Sequence, residues 1–268
     1  MEEKKKGGKR AAPNRRGWLL AALVLAGLGI WGILEWRAHT APGPGISVNE
    51  EALTRREPFY QYDAPGVTAR AGVDVSSYQG VVDWPAVKAA GAGFAMLRVG
   101  FRGYGTGALV EDNAFAQNAA DAANAGLTVG VYFYSQAVTE EEAAEEARFV
   151  VERLRGTNVS GPIAYDLEFY TADEARTDDL TGEQATQNAI AFCDVIRQAG
   201  YEPVVYMNLH WAGSMYGMED LAHLPVWLAS YGPVPALDRG VTLWQYSESG
   251  AVDGIEGPVD LDLWFTEE

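Results

Sequence analysis

The stretch Pro162-Ile163-Ala164-Tyr165-Asp166-Leu167-Glu168 is a short apolar run that closes on two acids. It has strand length, and helical patterns flank it at 140–154 and 183–199, so it reads as a strand between two crossover helices. The same alternation spreads outward in both directions. Further runs of strand length lie at 71–76, 94–100, 128–135, 203–208, 225–230, 241–246 and 259–265, which makes eight in all. Helix-like stretches at 84–90 and 113–125 separate the earlier ones. Gly91, Gly126, Gly156 and Gly200 follow the four helical stretches, as helix C-termini prefer. Strand–helix alternation specifies a parallel sheet with crossover helices. The last three runs have little helix between them. The expectation is one irregular α/β barrel over 69–268, with a regular first half and an irregular last third. An open doubly wound sheet is the alternative, but no Gly-x-Gly-x-x-Gly turn follows a strand, which weakens its nucleotide-binding form.

In such a barrel, chemistry gathers at the C-terminal strand ends. Acids occur on three of the runs: Asp74 on the first, Asp166 and Glu168 on the fourth, Asp260 on the last. Asp166 and Glu168 stand two apart, so they share a face, with Cα atoms about 6.6 Å apart. If Leu167 packs outward, both acids point into the mouth. Close carboxylates in a partly dry site cannot both ionise freely, so one is kept as an acid. Glycoside hydrolysis uses such a pair. The plainer alternatives are a solvated strand end, or an acid neutralised by Arg98. Aromatic residues crowd the same ends: Tyr132, Phe133, Tyr134, Tyr165, Phe169, Tyr206, Trp227, Tyr231, Trp244 and Tyr246. Core packing accounts for about half of them. The others can stack on the C–H faces of sugar rings.

Other chemistries find little support. His39, His210 and His223 show no metal-ligand spacing, and neither metal nor cofactor is expected. Ser76-Ser77 has no nearby histidine to complete a triad. The formal net charge is −17 and is unevenly spread. Residues 1–36 carry seven basic and three acidic residues, leaving 13 basic and 34 acidic in the remainder. That remainder repels phosphate backbones, which argues against nucleic-acid binding. Cys193, the only cysteine, lies in an apolar helical run and reads as a small buried hydrophobe.

Residues 18–36, WLLAALVLAGLGIWGILEW, carry a single charge, Glu35. Nineteen helical residues span roughly 28 Å, the thickness of a bilayer's hydrocarbon core. Trp18, Trp31 and Trp36 lie at or near its ends, and the seven basic residues precede it. The organisation expected is a cytoplasmic head at 1–17, a transmembrane helix at 18–36, a stalk at 37–68 and an extracytoplasmic barrel at 69–268. A cleaved signal peptide is the rival, with a shorter apolar core and a better cleavage site than His39-Thr40-Ala41 required.

The segments Gly72-Val73-Asp74-Val75-Ser76-Ser77-Tyr78-Gln79-Gly80, Val82-Asp83-Trp84 and Val87-Lys88-Ala89-Ala90-Gly91 resemble the opening of glycoside hydrolase family 25, the Chalaropsis-type lysozymes. Leu97-Arg98-Val99-Gly100, the segment from Gly126 to Tyr132, Tyr165-Asp166-Leu167-Glu168, Trp244-Gln245-Tyr246-Ser247 and Gly257-Pro258-Val259-Asp260-Leu261 continue the likeness in family order. The resemblance implies a barrel of five β/α units and three further strands, and cleavage of the β-1,4 bond between N-acetylmuramic acid and N-acetylglucosamine in peptidoglycan, for wall remodelling or catabolism. It places the active-site acids at Asp74, Asp166, Glu168 and Asp260. Asp262 stands where the family usually has asparagine. Substrate contacts are expected from Arg98, Tyr132, Tyr134, Tyr206, Trp227, Tyr231 and Gln245, and the enzyme is expected to act as a monomer. Glu168 is expected as general acid/base. Asp166 is its partner, either attacking the sugar or orienting the substrate's N-acetyl group, and Asp74 and Asp260 organise the site. A glycan-binding barrel without catalysis, a chitinase-like glycosidase and an inert tethered barrel are the competing functions.

Overall fold

The computed structural model describes residues 44–169 and 173–268. The basic head, the apolar segment at 18–36 and the first part of the expected stalk lie outside the described residues. Among the described residues no helix is long and apolar enough to cross a membrane.

The first strands among the described residues form a hairpin, β1 (Leu53–Arg56) and β2 (Phe59–Tyr62). Then come β3 (Val67–Val75), α1 (Trp84–Ala89), β4 (Phe94–Arg102), β5 (Leu109–Glu111), α2 (Phe115–Asn124), β6 (Thr128–Ser135), α3 (Glu140–Arg153), β7 (Ile163–Leu167) and α4 (Gly182–Gln198). The rest is β8 (Pro203–Asn208), α5 (Leu209–Ser214), β9 (Val226–Ala229), β10 (Leu243–Gly250) and β11 (Val259–Glu267). All eight expected runs are strands, and they close on themselves in the order β3, β4, β6, β7, β8, β9, β10, β11. Neighbours are parallel except at β11, which runs antiparallel to both β10 and β3 and seals the barrel. Five β/α units precede three strands without intervening helices.

Local chemistry sets the helix boundaries. Asp83, Thr139, Thr181 and Asn208 cap the N-termini of α1, α3, α4 and α5, each accepting from a backbone N–H of the first turn. Glu140, Glu141 and Glu142 open α3 and Arg153 closes it, the polarity its dipole favours. Inside the barrel, Phe94, Met96, Val204, Trp227 and Leu243 fill the lower layers. They need room: a methyl on Gly72 would lie 2.4 Å from the Phe94 ring, and one on Gly130 would lie 2.5 Å from Met96 Sδ. Residues of opposite parity, such as Ile163, Tyr165 and Leu167, join the outer core under the helices.

The stalk reading fails for the part described, 44–68. Ile46 and Phe59 are buried, and Ile46 exchanges two backbone hydrogen bonds with Val241. Tyr62 packs edge-on to Phe265 at 5.2 Å, and Tyr60 to Tyr246 at 4.8 Å. The reason is that a barrel strand is apolar on both faces and needs a cover on each. With few helices on β9 to β11, the segment before the barrel supplies that cover.

Candidate active site

Strand β7 aims Asp166 into the mouth because Ile163, Tyr165 and Leu167 are claimed by the outer core; Tyr165 packs on Phe192 of α4 at 5.2 Å. Asp166 is buried, and no protein donor reaches its Oδ1. Glu168 follows just past the strand, more open, with its backbone carbonyl accepting from Gln136 Nε2 at 2.8 Å. Burial pushes the Asp166 carboxyl well above its usual range, with the charge of Glu168 next, while Arg98 opposes. Burial also raises Glu168, its contact with Asp166 opposes, and the charge of Asp260 adds to the rise. The pair therefore keeps a proton at pH values where free carboxyls have lost theirs.

A second acidic group faces this pair. Asp74 on β3 lies opposite Asp260 on β11 in the antiparallel register. Gln245 Nε2 on β10 donates to Asp74 Oδ2 at 2.7 Å, and Gln245 Oε1 accepts from the hydroxyls of Tyr231 at 2.9 Å and Tyr206 at 3.3 Å. The glutamine thus has its amide orientation fixed and ties two rim tyrosines to one acid. Burial, then the charges of Asp262 and Asp260, push Asp74 well up. Asp260 is pushed up to about 6 by burial and then by Glu248, with its bond to Asp74 opposing. Asp262 is fully buried; Trp227 Nε1 donates to its Oδ1 at 2.8 Å, and no protein donor meets Oδ2.

Arg98 forms no ion pair with either member of the β7 pair, though its charge reaches Asp166. Its guanidinium is taken by Asp112, at 2.7 Å, and by Ser77 Oγ at 3.0 Å. Asp112 also accepts from the backbone N–H groups of Ser77 and Ala114, so this ion pair fastens the loop after β3 to the start of α2. Arg98 still faces the site and lies 5.0 Å from the centroid of the Tyr78 ring.

The four acids and all seven expected contact residues line one cavity of about 330 Å³. Five of the ten strand-end aromatics are among them: Tyr132, Tyr134, Tyr206, Trp227 and Tyr231. Phe133, Tyr165, Trp244 and Tyr246 belong to the outer core. A second cavity, about 700 Å³, continues past Asn208 and His210 and shares Glu168, Tyr206, Tyr231 and Glu248 with the first. Glu168 therefore stands where two spaces meet, as a group acting on a bond between two bound units must.

A model of glycosyl hydrolases family 25 matches residues 73–255, most of the barrel. The chain belongs to this family. It is 29% identical over 192 residues to the autolytic lysozyme of Clostridium acetobutylicum, covering 71% of this chain and 54% of that one. It is 30% identical over 211 residues to Lysozyme M1 of Streptomyces globisporus, covering 70% of this chain and 65% of that one. The chain thus spans between half and two thirds of the length of these relatives. Among solved structures, the bacterial lysozyme from Streptomyces coelicolor superposes with a TM-score of 0.59 at 26% identity, covering 73% of this chain and 91% of that one.

The family 25 match ends before Asp260 and Asp262, so their place in the site rests on the register of β11 against β3. The site also holds residues the sequence did not single out. Ser76, Tyr78, Gln79 and Glu248 line the cavity. Gln136, fully buried, donates to the Glu168 carbonyl and accepts from Thr177 Oγ1 at 2.9 Å, bracing the loop after β7. Ser76, Tyr78 and Gln79 sat within a quoted motif; Glu248 and Gln136 carried no local signal. Cys193 is buried among apolar residues, and burial pushes its thiol up. Among the described residues, no group of acids, histidines or cysteines is arranged to hold a metal ion.

Proposed function

We propose that the protein is a muramidase that hydrolyses the β-1,4 bond between N-acetylmuramic acid and N-acetylglucosamine in peptidoglycan. The observation that carries this reading is the buried Asp166–Glu168 pair, holding a proton where two aromatic-lined cavities meet. Membership of family 25 and likeness to two lysozymes support the substrate class. Glu168, the more open of the two, donates its proton to the glycosidic oxygen as the bond to C1 breaks, and later takes a proton from the incoming water. Asp166, whose carboxyl borders the cavity, accepts from the N–H of the substrate's acetamido group and turns the acetamido carbonyl oxygen towards C1. The tyrosine–glutamine relay to Asp74 holds the sugar-facing rim of the site.

The test compares Glu168→Gln, Asp166→Asn and a substrate lacking the N-acetyl group. Loss of cleavage in all three arms is expected. Full activity in Glu168→Gln removes the assignment; unimpaired cleavage of the deacetylated strand, with Asp166→Asn dead, makes Asp166 a direct nucleophile. The same proposal places the enzyme on the outer face of a cell membrane, held by residues 18–36 with the basic head inside. That part rests on sequence alone. Protease added to intact spheroplasts should then remove the barrel, and a protected barrel would reverse the topology.

A further inference from the structure

We propose that the β1–β2 hairpin builds a carboxylate-binding wall at one end of the cleft, which takes the peptide stem carried by the glycan strand. The identity of the ligand rests on the muramidase reading; the wall itself does not. A third cavity, about 570 Å³, lies between Arg55, Glu57 and Tyr60 of the hairpin and Tyr231, Ser247 and Ser249 of the barrel rim. It meets the second cavity at Tyr231-Gly232-Pro233, which line both. A ligand lying across Glu168 can therefore continue to the hairpin without leaving a walled path. The hairpin precedes the residues matched by the family model, so this wall is not part of the matched barrel.

The chemistry of the wall selects the occupant. A further sugar would need a free aromatic face. At the hairpin end Tyr60 has none to spare: it stacks on Trp244 at 6.3 Å with the rings 9° apart, meets the edge of Tyr246, and carries Arg55 6.0 Å from its centroid, while the exposed Tyr231 stands at the opposite end, where the second cavity joins. The groove offers a guanidinium and serine hydroxyls instead. Elsewhere the cleft is acidic, with Asp74, Asp166, Glu168, Glu248 and Asp260 facing it. Those groups repel a ligand's carboxylates towards the one end that attracts them. Among the described residues, Arg55 and Arg98 are the only arginines or lysines lining the three cavities, and Arg98 is committed to Asp112. The partner of Arg55 is Glu57 at 2.7 Å, with side chains 66% and 73% exposed. Such an open pair is weak and exchanges readily for a ligand carboxylate, which arginine grips with two parallel N–H groups. The hairpin is rigid enough to hold that grip: Phe59 is buried beneath it, and the Tyr60 N–H donates to the Tyr246 hydroxyl at 3.2 Å.

The experiment measures cleavage of two substrates by the full chain: peptide-bearing peptidoglycan strands, and the same strands stripped of peptide by an amidase. Arg55→Glu is expected to raise KM about tenfold on the peptide-bearing strands, leave kcat alone, and leave KM on the stripped strands in place. Glu57→Gln, which frees Arg55, is expected to lower KM on the peptide-bearing strands only. Equal changes on both substrates, or none on either, would overturn the proposal. Co-sedimentation of Glu168→Gln protein with intact sacculi, with and without Arg55→Glu, separates the two readings. Retention that falls with Arg55→Glu while the wild-type chain does not cut leaves the wall standing and removes the muramidase. Retention unaffected by Arg55→Glu while the wild type cuts removes the wall alone.

Discussion

From β3 to β8 the barrel is clad in helices, and from β9 to β11 in a hairpin from its own N-terminal side. The first region obeys the β/α rhythm: strand, cap, helix, left-handed glycine, strand. The second has no helix between β9 and β10 or between β10 and β11, and its outer face is covered by Ile46, Phe59, Tyr60 and Tyr62. A barrel requires an apolar cover over each strand but does not specify which element provides it. The difference has consequences at the mouth. Regular units deliver single side chains from strand ends, as β7 delivers Asp166. The irregular third pairs β10 with β11 antiparallel and shifts register between Gln245 and Ser247 and again before Gly250. Such bulges bend a strand and re-aim its side chains. Here Gln245 turns to Asp74, and the strand runs on to carry Ser247 and Ser249 towards the hairpin. The pair proposed to react thus stands in the regular half, while much of the structure around it, Gln245, Asp260 and Asp262, comes from the irregular one.

That division can be broken by mutation. The largest effect is expected on the regular side: Glu168→Gln should lower kcat about a thousandfold or more, the scale of a lost general acid. Asp74→Asn, which keeps a hydrogen bond to Gln245 possible, should cost only about tenfold to a hundredfold with the fold intact. Equal losses would erase the distinction between reacting and supporting acids. The hairpin is tested by stability. Phe59→Ala should destabilise the fold by about 3–5 kcal/mol, as a buried aromatic does, and urea denaturation measures it. An unchanged midpoint would return residues 53–62 to the role of a passive linker.

The smallest effect concerns pH, and its sign follows from raised carboxyls in both regions. Asp260 is pushed up to about 6 and Glu146, on the buried face of α3, to about 7. Between about pH 4 and these values the folded chain holds protons that the unfolded chain has released, so stability falls as pH rises through that window. Glu142, lowered against burial by its bond to Arg176, works the other way and costs stability only below about pH 4.5. Thermal melts should therefore show a higher midpoint near pH 5 than at pH 7. Asp260→Asn should flatten the lower part of that decline by about 1 kcal/mol, allowing for its partial exposure. A midpoint that rises steadily to pH 7 would mean that these groups are ionised in the fold.

The same contrast explains what the sequence reveals. In the regular half, period and caps are local, and the 128–135 and 203–208 runs coincide with β6 and β8 to the residue. The hairpin escapes such reading because its strands have four residues each and its exposed positions, Thr54, Arg55, Arg56 and Gln61, dilute the apolar signal. Its burial depends on strands some 180 positions later. The short α5 and β5 were missed for want of length. At the site, residues at strand ends are legible because alternation fixes their face, and the eleven expected side chains do line one cavity. Gln136 and Asp112 are not legible, since a buried amide or acid takes its meaning from what lies opposite: a carbonyl 32 residues away for the one, Arg98 for the other.

The central claim is that the Asp166–Glu168 pair cuts a muramic acid bond. Mass spectrometry of the fragments released from purified peptidoglycan, after reduction with borohydride, tests it most directly. The account predicts reduced N-acetylmuramic acid at the new ends, with none formed by Glu168→Gln. Reduced N-acetylglucosamine at those ends, or no release by the wild-type chain, would contradict it.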